Sequence, residues 1–359
     1  MATAGRLPLP RTSAAPATTE TAETRGDPDG LAFVVLSDTH YTAPQDAPDE
    51  LDRDIVEVNR RLIDDVHQLP GLKFPDEMGG GPVPAPRGVL HLGDMIETGD
   101  KGTGDLSVQR QHTEWHAYVK DFGLTGTEGR LRHPVYEVHG NHDSVREMNV
   151  VMEALIERNR RRPLVNHVSD SGVCYSWDWQ GVHFIALGIV VGHNDQGLPI
   201  GRYKAYDSLA FLRQDLRERV GDSGRPVILM HHIDLLRYSQ PCSGESPAGG
   251  EWSACDVEAY HQSLAGYNVA AIFHGHLHGL RTDHWDGSSQ TTDKGDGIPV
   301  FGVRAGGAGG SNRGYFHCAV EGGELVVRER VSLRADTGWL EENSTWGGHW
   351  RVPLRVAAG

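Results

Sequence analysis

Apolar residues in this chain come in short unbroken runs, separated by stretches where they recur every three or four positions. Leu31–Leu36 is the first run. Its length suits a strand buried on both faces, and it ends at Asp38. Leu51, Ile55, Val58, Leu62, Val66 and Leu69 then fall at helical spacing, and Pro70-Gly71 stops the helix. A Gly/Pro loop over 71–87 leads to a second strand, Val89–Leu92, which ends at Asp94. The pattern continues with a helix over 109–122, a strand Pro134–Val138 ending at Asn141, and a helix over 144–160. Cys174–Trp179 and Val182–Leu187 alternate on either side of Gln180-Gly181, which predicts a hairpin. A helix over Tyr206–Val220, a strand Val227–Met230, a helix over 256–266 and a strand Val269–Phe273 follow. The remainder is β-rich, with strands near 298–303, 315–319 and 324–331. Strands alternating with helices predict an α/β layered architecture.

Composition sets the limits of this fold. Of 359 residues, 38% are hydrophobic, enough for a sizeable core. Residues 1–30 are rich in Ala, Thr, Pro and Glu and are expected to be a disordered tail. Residues 31–335 read as one domain and 336–359 as a C-terminal extension. The formal charge is -15, from 49 acidic and 34 basic residues, which disfavours nucleic acid and anionic membrane as partners. The chain lacks a run of 18 apolar residues and an apolar leader core, so the expectation is a cytoplasmic protein without a membrane span. Cys174, Cys242, Cys255 and Cys318 are too few for a disulfide scaffold. Cys242 and Cys255 share one loop and could pair in an oxidising compartment; free thiols are the plainer expectation.

Chemistry enters through five short words: Ser37-Asp38-Thr39-His40, Gly93-Asp94, Gly140-Asn141-His142-Asp143, His231-His232 and Gly275-His276-Leu277-His278. Each follows directly on an apolar strand. Sites in α/β sheets form at the carboxyl ends of strands, so five separated words are expected on one edge of the molecule. Asp38 and His40 are two apart and can reach one ion together. The set supplies oxygen donors and imidazoles, ligands suited to zinc, iron and similar ions.

In this order the words resemble the calcineurin-like metallophosphoesterases, the family of purple acid phosphatases and many phosphodiesterases. The resemblance runs from about Leu31 to about Val331. It implies a four-layer α/β/β/α fold, two mixed sheets face to face with helices outside. It also implies two metal ions, of Mn, Fe or Zn. One would be held by Asp38, His40, Asp94 and His278. The other would be held by Asp94, Asn141, His231 and His276, with each oxygen of Asp94 serving one ion. His231 is the expected ligand because Val227–His231 aligns with the family's strand; His232 is the alternative. His142 would protonate the leaving oxygen or stabilise the phosphate, and Asp143 would orient its ring. Water activated by the metals would be the nucleophile, and the substrate a small phosphate mono- or diester. Met95-Ile96-Glu97 lacks a tyrosine, which disfavours the purple Fe(III) type.

Other residues have plainer readings. His91, His139 and His274 read as packed strand residues, and Trp177 and Trp179 as sheet residues. Arg158, Arg160, Arg161 and Arg162 read as a solvated helix end, with an anion patch as the alternative. Gly306–Gly310 lacks the Lys-Ser/Thr of a phosphate loop. Residues 97–132, 233–256 and His193-Asn194-Asp195 are expected to roof the pocket. A scaffold that keeps this fold without catalysis usually loses ligands, and all are present here. A nuclease of the same family is disfavoured by the acidic charge. The oligomeric state is not legible.

Overall fold

The computed structural model describes residues 28–193, 201–235, 238–239, 250–287, 297–307, 312–332 and 344–354. Numbered along the chain, its strands are β1 (Ala32–Leu36), β2 (Val89–His91), β3 (Val135–Glu137), β4 (Val165–Val168), β5 (Tyr175–Trp179), β6 (Val182–Ala186) and β7 (Val227–Met230). These are followed by β8 (Tyr238–Ser239), β9 (Trp252–Ser253), β10 (Val269–His274), β11 (Arg281–Trp285), β12 (Ile298–Gly302), β13 (Arg313–Glu321), β14 (Glu324–Ser332) and β15 (Ser344–Pro353). The helices are α1 (Arg53–Gln68), α2 (Asp105–Asp121), α3 (Val150–Arg161), α4 (Ser208–Asp215) and α5 (Ala254–Leu264).

The unbroken apolar runs make central strands because both faces of those strands are covered. In β1, Phe33 and Val35 point into an apolar layer shared with Trp177, Phe184, Phe273 and Phe316. Val34 and Leu36 point the other way, into a second layer with Leu62, Ile63 and Val66 of α1. The ring of Phe33 meets those of Phe184 at 5.3 Å and Phe273 at 6.3 Å, so two sheets pack face to face with helices outside. One sheet has the order β15-β14-β13-β1-β2-β3, the other β11-β12-β10-β7-β6-β5-β4. Both are mixed: β1, β2 and β3 run parallel, as do β6, β7, β10 and β12, while the flanking strands are antiparallel. This is the expected α/β/β/α arrangement.

Local differences have local causes. The helix expected over 144–160 starts only at Val150, where the Asn149 side chain accepts the Met152 N–H at 3.0 Å. Residues 140–149 are used instead for the loop carrying the third motif. The hairpin turn at Gln180-Gly181 has φ of 45° and 80°, the paired positive values of a tight two-residue connection. The stretch read as a C-terminal extension supplies β15, paired along β14, with Val352 and Leu354 buried. Arg158 and Arg162 form neither a solvated helix end nor an anion patch: both turn onto the buried carboxylate of Glu137.

Residues 1–27 of the expected tail lie outside the described residues. Beyond them, Gly30 N–H donates to Val320 O at 2.9 Å. Cys174 and Cys318 are free and buried; Cys255 is disulfide-bonded, and Cys242 lies outside the described residues. Among the described residues no helix is long and apolar enough to cross a membrane.

Candidate metal centre

All five words lie at the carboxyl ends of parallel strands: β1, β2 and β3 in one sheet, β7 and β10 in the other. Short backbone bonds tie the words together. Asp38 N–H donates to Gly93 O at 2.9 Å, His40 N–H to Asp94 O at 3.0 Å, and Gly275 N–H to His232 O at 3.0 Å. The backbone is strained at this edge. Asp38, His40, Asp94, His276 and His278 all have φ between 44° and 71°, a region that side chains seldom occupy. Two glycines are there for space. A Cβ at Gly140 would strike the carboxylate and amide of Asp94, and one at Gly275 would strike Ser37 and Asp38.

Three groups of donors result among the described residues; one joins His40, Glu97 and His142, and the other two share Asp94. Of those two, Asp38, His40, Asp94 and His278 bring one ligand atom each within 4.8 Å of one another, and so do Asp94, His232 and His276. In the first of them, His278 Nε2 lies 3.2 Å from both Asp38 Oδ1 and His40 Nε2. Asp38 Oδ1 is buried without a hydrogen-bond partner, because these atoms aim at one common point rather than at each other. In the second, His232 Nε2 is 3.2 Å from Asp94 Oδ2 and 3.2 Å from Asn141 Oδ1. Asp94 Oδ1 is taken by the His142 N–H at 2.8 Å. Oδ2 is therefore the Asp94 oxygen that faces His40, at 3.7 Å, and His232, at 3.2 Å.

The electrostatics ask for cations. Burial opposes charge on Asp38, yet the imidazoles of His278 and His40 beside it hold its carboxyl well below the usual range. Asp94 is likewise held low, against its burial, by His232. Burial pushes the imidazole of His232 down, but Asp94 beside it raises it to about 9. A divalent ion would replace such protons. Unpartnered buried carboxylate oxygen, converging imidazole nitrogens and a neutral amide oxygen are a donor set that fits divalent transition ions.

The sequence model of calcineurin-like phosphoesterases matches residues 31–280. The chain belongs to this family. It is a metal-dependent phosphoesterase, a hydrolase acting on phosphate esters. Among solved structures it is similar to PhoD (12% identity, TM-score 0.47, covering 94% of this chain and 74% of that one). Another is GAP50, the anchor in the inner membrane complex of Plasmodium (10% identity, TM-score 0.47, covering 90% and 89%). A third is a metallophosphoesterase from Sphaerobacter thermophilus (13% identity, TM-score 0.29, covering 91% and 90%). Among curated proteins, no sequence matches this chain.

Two residues of the phosphoesterase differ from expectation. His231 does not reach the centre. It is fully buried, with its ring 5.3 Å from Trp252 and 5.8 Å from Tyr260, and burial keeps it neutral. Its neighbour His232 takes the position beside Asp94 and Asn141, and its Nδ1 donates to Leu92 O at 2.6 Å. Successive side chains leave a strand end in opposite directions, so only one of the pair can face Asp94 and Asn141.

Asp143 does not orient His142. Its Oδ1 accepts the N–H groups of Met95 and Ile96, at 2.9 and 3.0 Å, and its Oδ2 accepts that of Gly140 at 2.8 Å. It ties two motif loops together, and burial raises its carboxyl to about 7, helped by Asp94 nearby. The carboxylate beside His142 is Glu97. Glu97 Oε2 accepts from His40 Nδ1 at 2.8 Å, and its Oε1 lies 3.5 Å from His142 Nδ1. His142 Nδ1 also donates to Glu97 O at 3.2 Å. Glu97 was visible in the sequence as an acid three positions after Asp94.

The histidines read as packed are packed: His91, His139 and His274 are each buried. Trp177 and Trp179 are fully buried in the inter-sheet layer. Of the expected roof, residues 194–195, 236–237 and 240–249 lie outside the described residues.

Proposed function

We propose that the phosphoesterase holds two divalent ions, of Mn, Fe or Zn, and hydrolyses a small phosphate mono- or diester. The observation that carries this reading is the pair of donor groups meeting at Asp94 Oδ2. Asp38, His40, Asp94 and His278 would hold one ion; Asp94, Asn141, His232 and His276 would hold the other. Bound there, the ions would lower the pKa of a water and screen the phosphoryl oxygens.

The chain's own residues supply the rest. Asp38 and Asp94 stay ionised and neutralise the bound cations. Glu97 and Leu92 O accept from the outer nitrogens of His40 and His232, which fixes the tautomer and leaves Nε2 of each as the inward lone pair. His142 works as the acid. A carbonyl oxygen can only accept, so its bond to Glu97 O keeps the proton on Nδ1. Protonated His142 then presents Nε2–H to the departing ester oxygen. Its side chain is 26% exposed, open enough for substrate to reach.

Elemental analysis of purified protein, with a panel of phosphate mono- and diesters after Mn loading, tests the reading. Two ions per chain and hydrolysis of at least one ester class are expected. A folded, Mn-loaded protein that binds one ion or cleaves no ester would overturn it.

A further inference from the structure

Three segments far apart in sequence meet at one buried carboxylate beside the centre. Glu251 lies just before β9 and is buried. Its Oε1 accepts the Tyr203 hydroxyl at 3.0 Å and sits 3.2 Å from His276 Nε2. Tyr203 is buried as well, on a strap that is itself pinned: the Arg146 guanidinium donates to Arg202 O at 3.0 Å and also to Gly201 O. Arg146 in turn lies four residues beyond His142. The Arg202 guanidinium approaches the same Oε1 at 3.8 Å, from the solvent side. None of these residues belongs to the five motif words.

We propose that Glu251 is a positioning residue for His276, held in place by Tyr203. The inference rests on the two-metal reading above. A carboxylate can only accept, so the contact puts the proton of His276 on Nε2. Nδ1 is then left as the nitrogen with a free lone pair, on the ring that shares a donor group with Asp94 and His232. Two other imidazoles follow the same rule: His40 is fixed by Glu97 and His232 by Leu92 O. His276 gains from such a partner, because its backbone is in the left-handed region at φ 71° and its ring is part-exposed. A negative acceptor also makes the imidazole a better donor to a cation, and loss of such a partner typically weakens metal binding about 10–100-fold.

Calorimetric titration of the metal-free full-length protein with Co²⁺, followed by the visible absorption of the bound ion, tests this. Wild-type protein should bind two ions. Glu251→Ala should weaken one of them about 10–100-fold, change the absorption of that ion only, and leave the other as it was. Glu251→Gln keeps a neutral acceptor of the same shape and should recover most of the lost affinity. Tyr203→Phe removes one bond to Oε1 and should weaken the same ion by a smaller factor; it serves if Glu251→Ala does not fold. Two ions with unchanged affinity and spectrum in folded Glu251→Ala, or in Tyr203→Phe should that variant be needed, would overturn the role of Glu251. A wild-type protein that takes up one ion overturns the two-metal reading instead.

Discussion

His231 and His232 are the same side chain one position apart, and the strand end sends them to different environments. The run Val227–Met230 is apolar throughout because β7 is buried on both faces. Such a run marks a strand clearly but carries no alternation, so it cannot tell which of two following residues faces Asp94. The ambiguity was legible in the sequence; its resolution needed the direction of the two rings. His232→Ala should therefore lower metal content below two ions per chain and abolish turnover. His231→Ala should keep both ions and lose about 2–5 kcal/mol of stability, the usual cost of emptying a buried site. Elemental analysis beside urea melts of both variants decides; metal loss confined to His231→Ala would reverse the assignment. His142 yields a second expectation. His142→Ala should keep both ions and lose about 10²–10⁴-fold in rate. The loss should shrink for nitrophenyl esters, whose leaving group needs little protonation. Falling metal content in this variant would make His142 a ligand rather than an acid. Glu97 and Glu251 were harder to read because their roles depend on where a loop returns, and acids in polar loops carry no periodic mark.

At the scale of elements, legibility followed position in the sheet. The strands read from apolar runs are mostly central ones. In the two large sheets, the strands missed, β4, β11 and β15, all lie on sheet edges. Their outer faces are partly wet, so Asn166, His167, Asp283, Arg351 and similar residues break the apolar pattern. β3 is also an edge strand, and its last residue, Glu137, is fully buried. Burial pushes that carboxyl up, but the guanidinia of Arg158 and Arg162 outweigh it and bring it down to about 2. An acid depressed in the folded state adds stability above its unfolded pKa, near 4.5, and loses it as pH falls through the folded value. The contribution is on the order of 3 kcal/mol, present at pH 7 and lost between about pH 4.5 and pH 2. Glu137→Gln leaves Arg162 buried beside a neutral amide and should cost about 3–5 kcal/mol at pH 7. Denaturant melts between pH 2 and 7 should also show a flatter acid limb in this variant. An acid limb as steep as wild type would mean that other carboxylates carry it.

For the whole molecule, the metal centre and the C-terminal strand solve separate problems. The centre needs only that parallel strands of two facing sheets end on one edge. Strand β15 lies at the outer border of its sheet, with β14 and β13 between it and β1. It nevertheless closes the layer between the sheets. Trp350 packs 6.1 Å from both Phe301 and Phe316, and Val352 and Leu354 are buried. Trp346 covers Phe74 at 4.9 Å on the other side. Without β15, the nine residues of β14 would present a row of unpaired N–H and C=O groups over an open apolar layer. Edges of that kind recruit other chains. A chain ending at Ser332 should therefore melt lower and aggregate at concentrations where the full chain stays dispersed. Its soluble fraction should still bind the same number of ions, because no ligand is lost. Light scattering and thermal melts, with elemental analysis of the soluble fraction, provide the check. A truncated protein as stable and as dispersed as the full chain would show that β15 is an appendage. A stable, dispersed truncation lacking metal would show that the strand supports the centre rather than the edge.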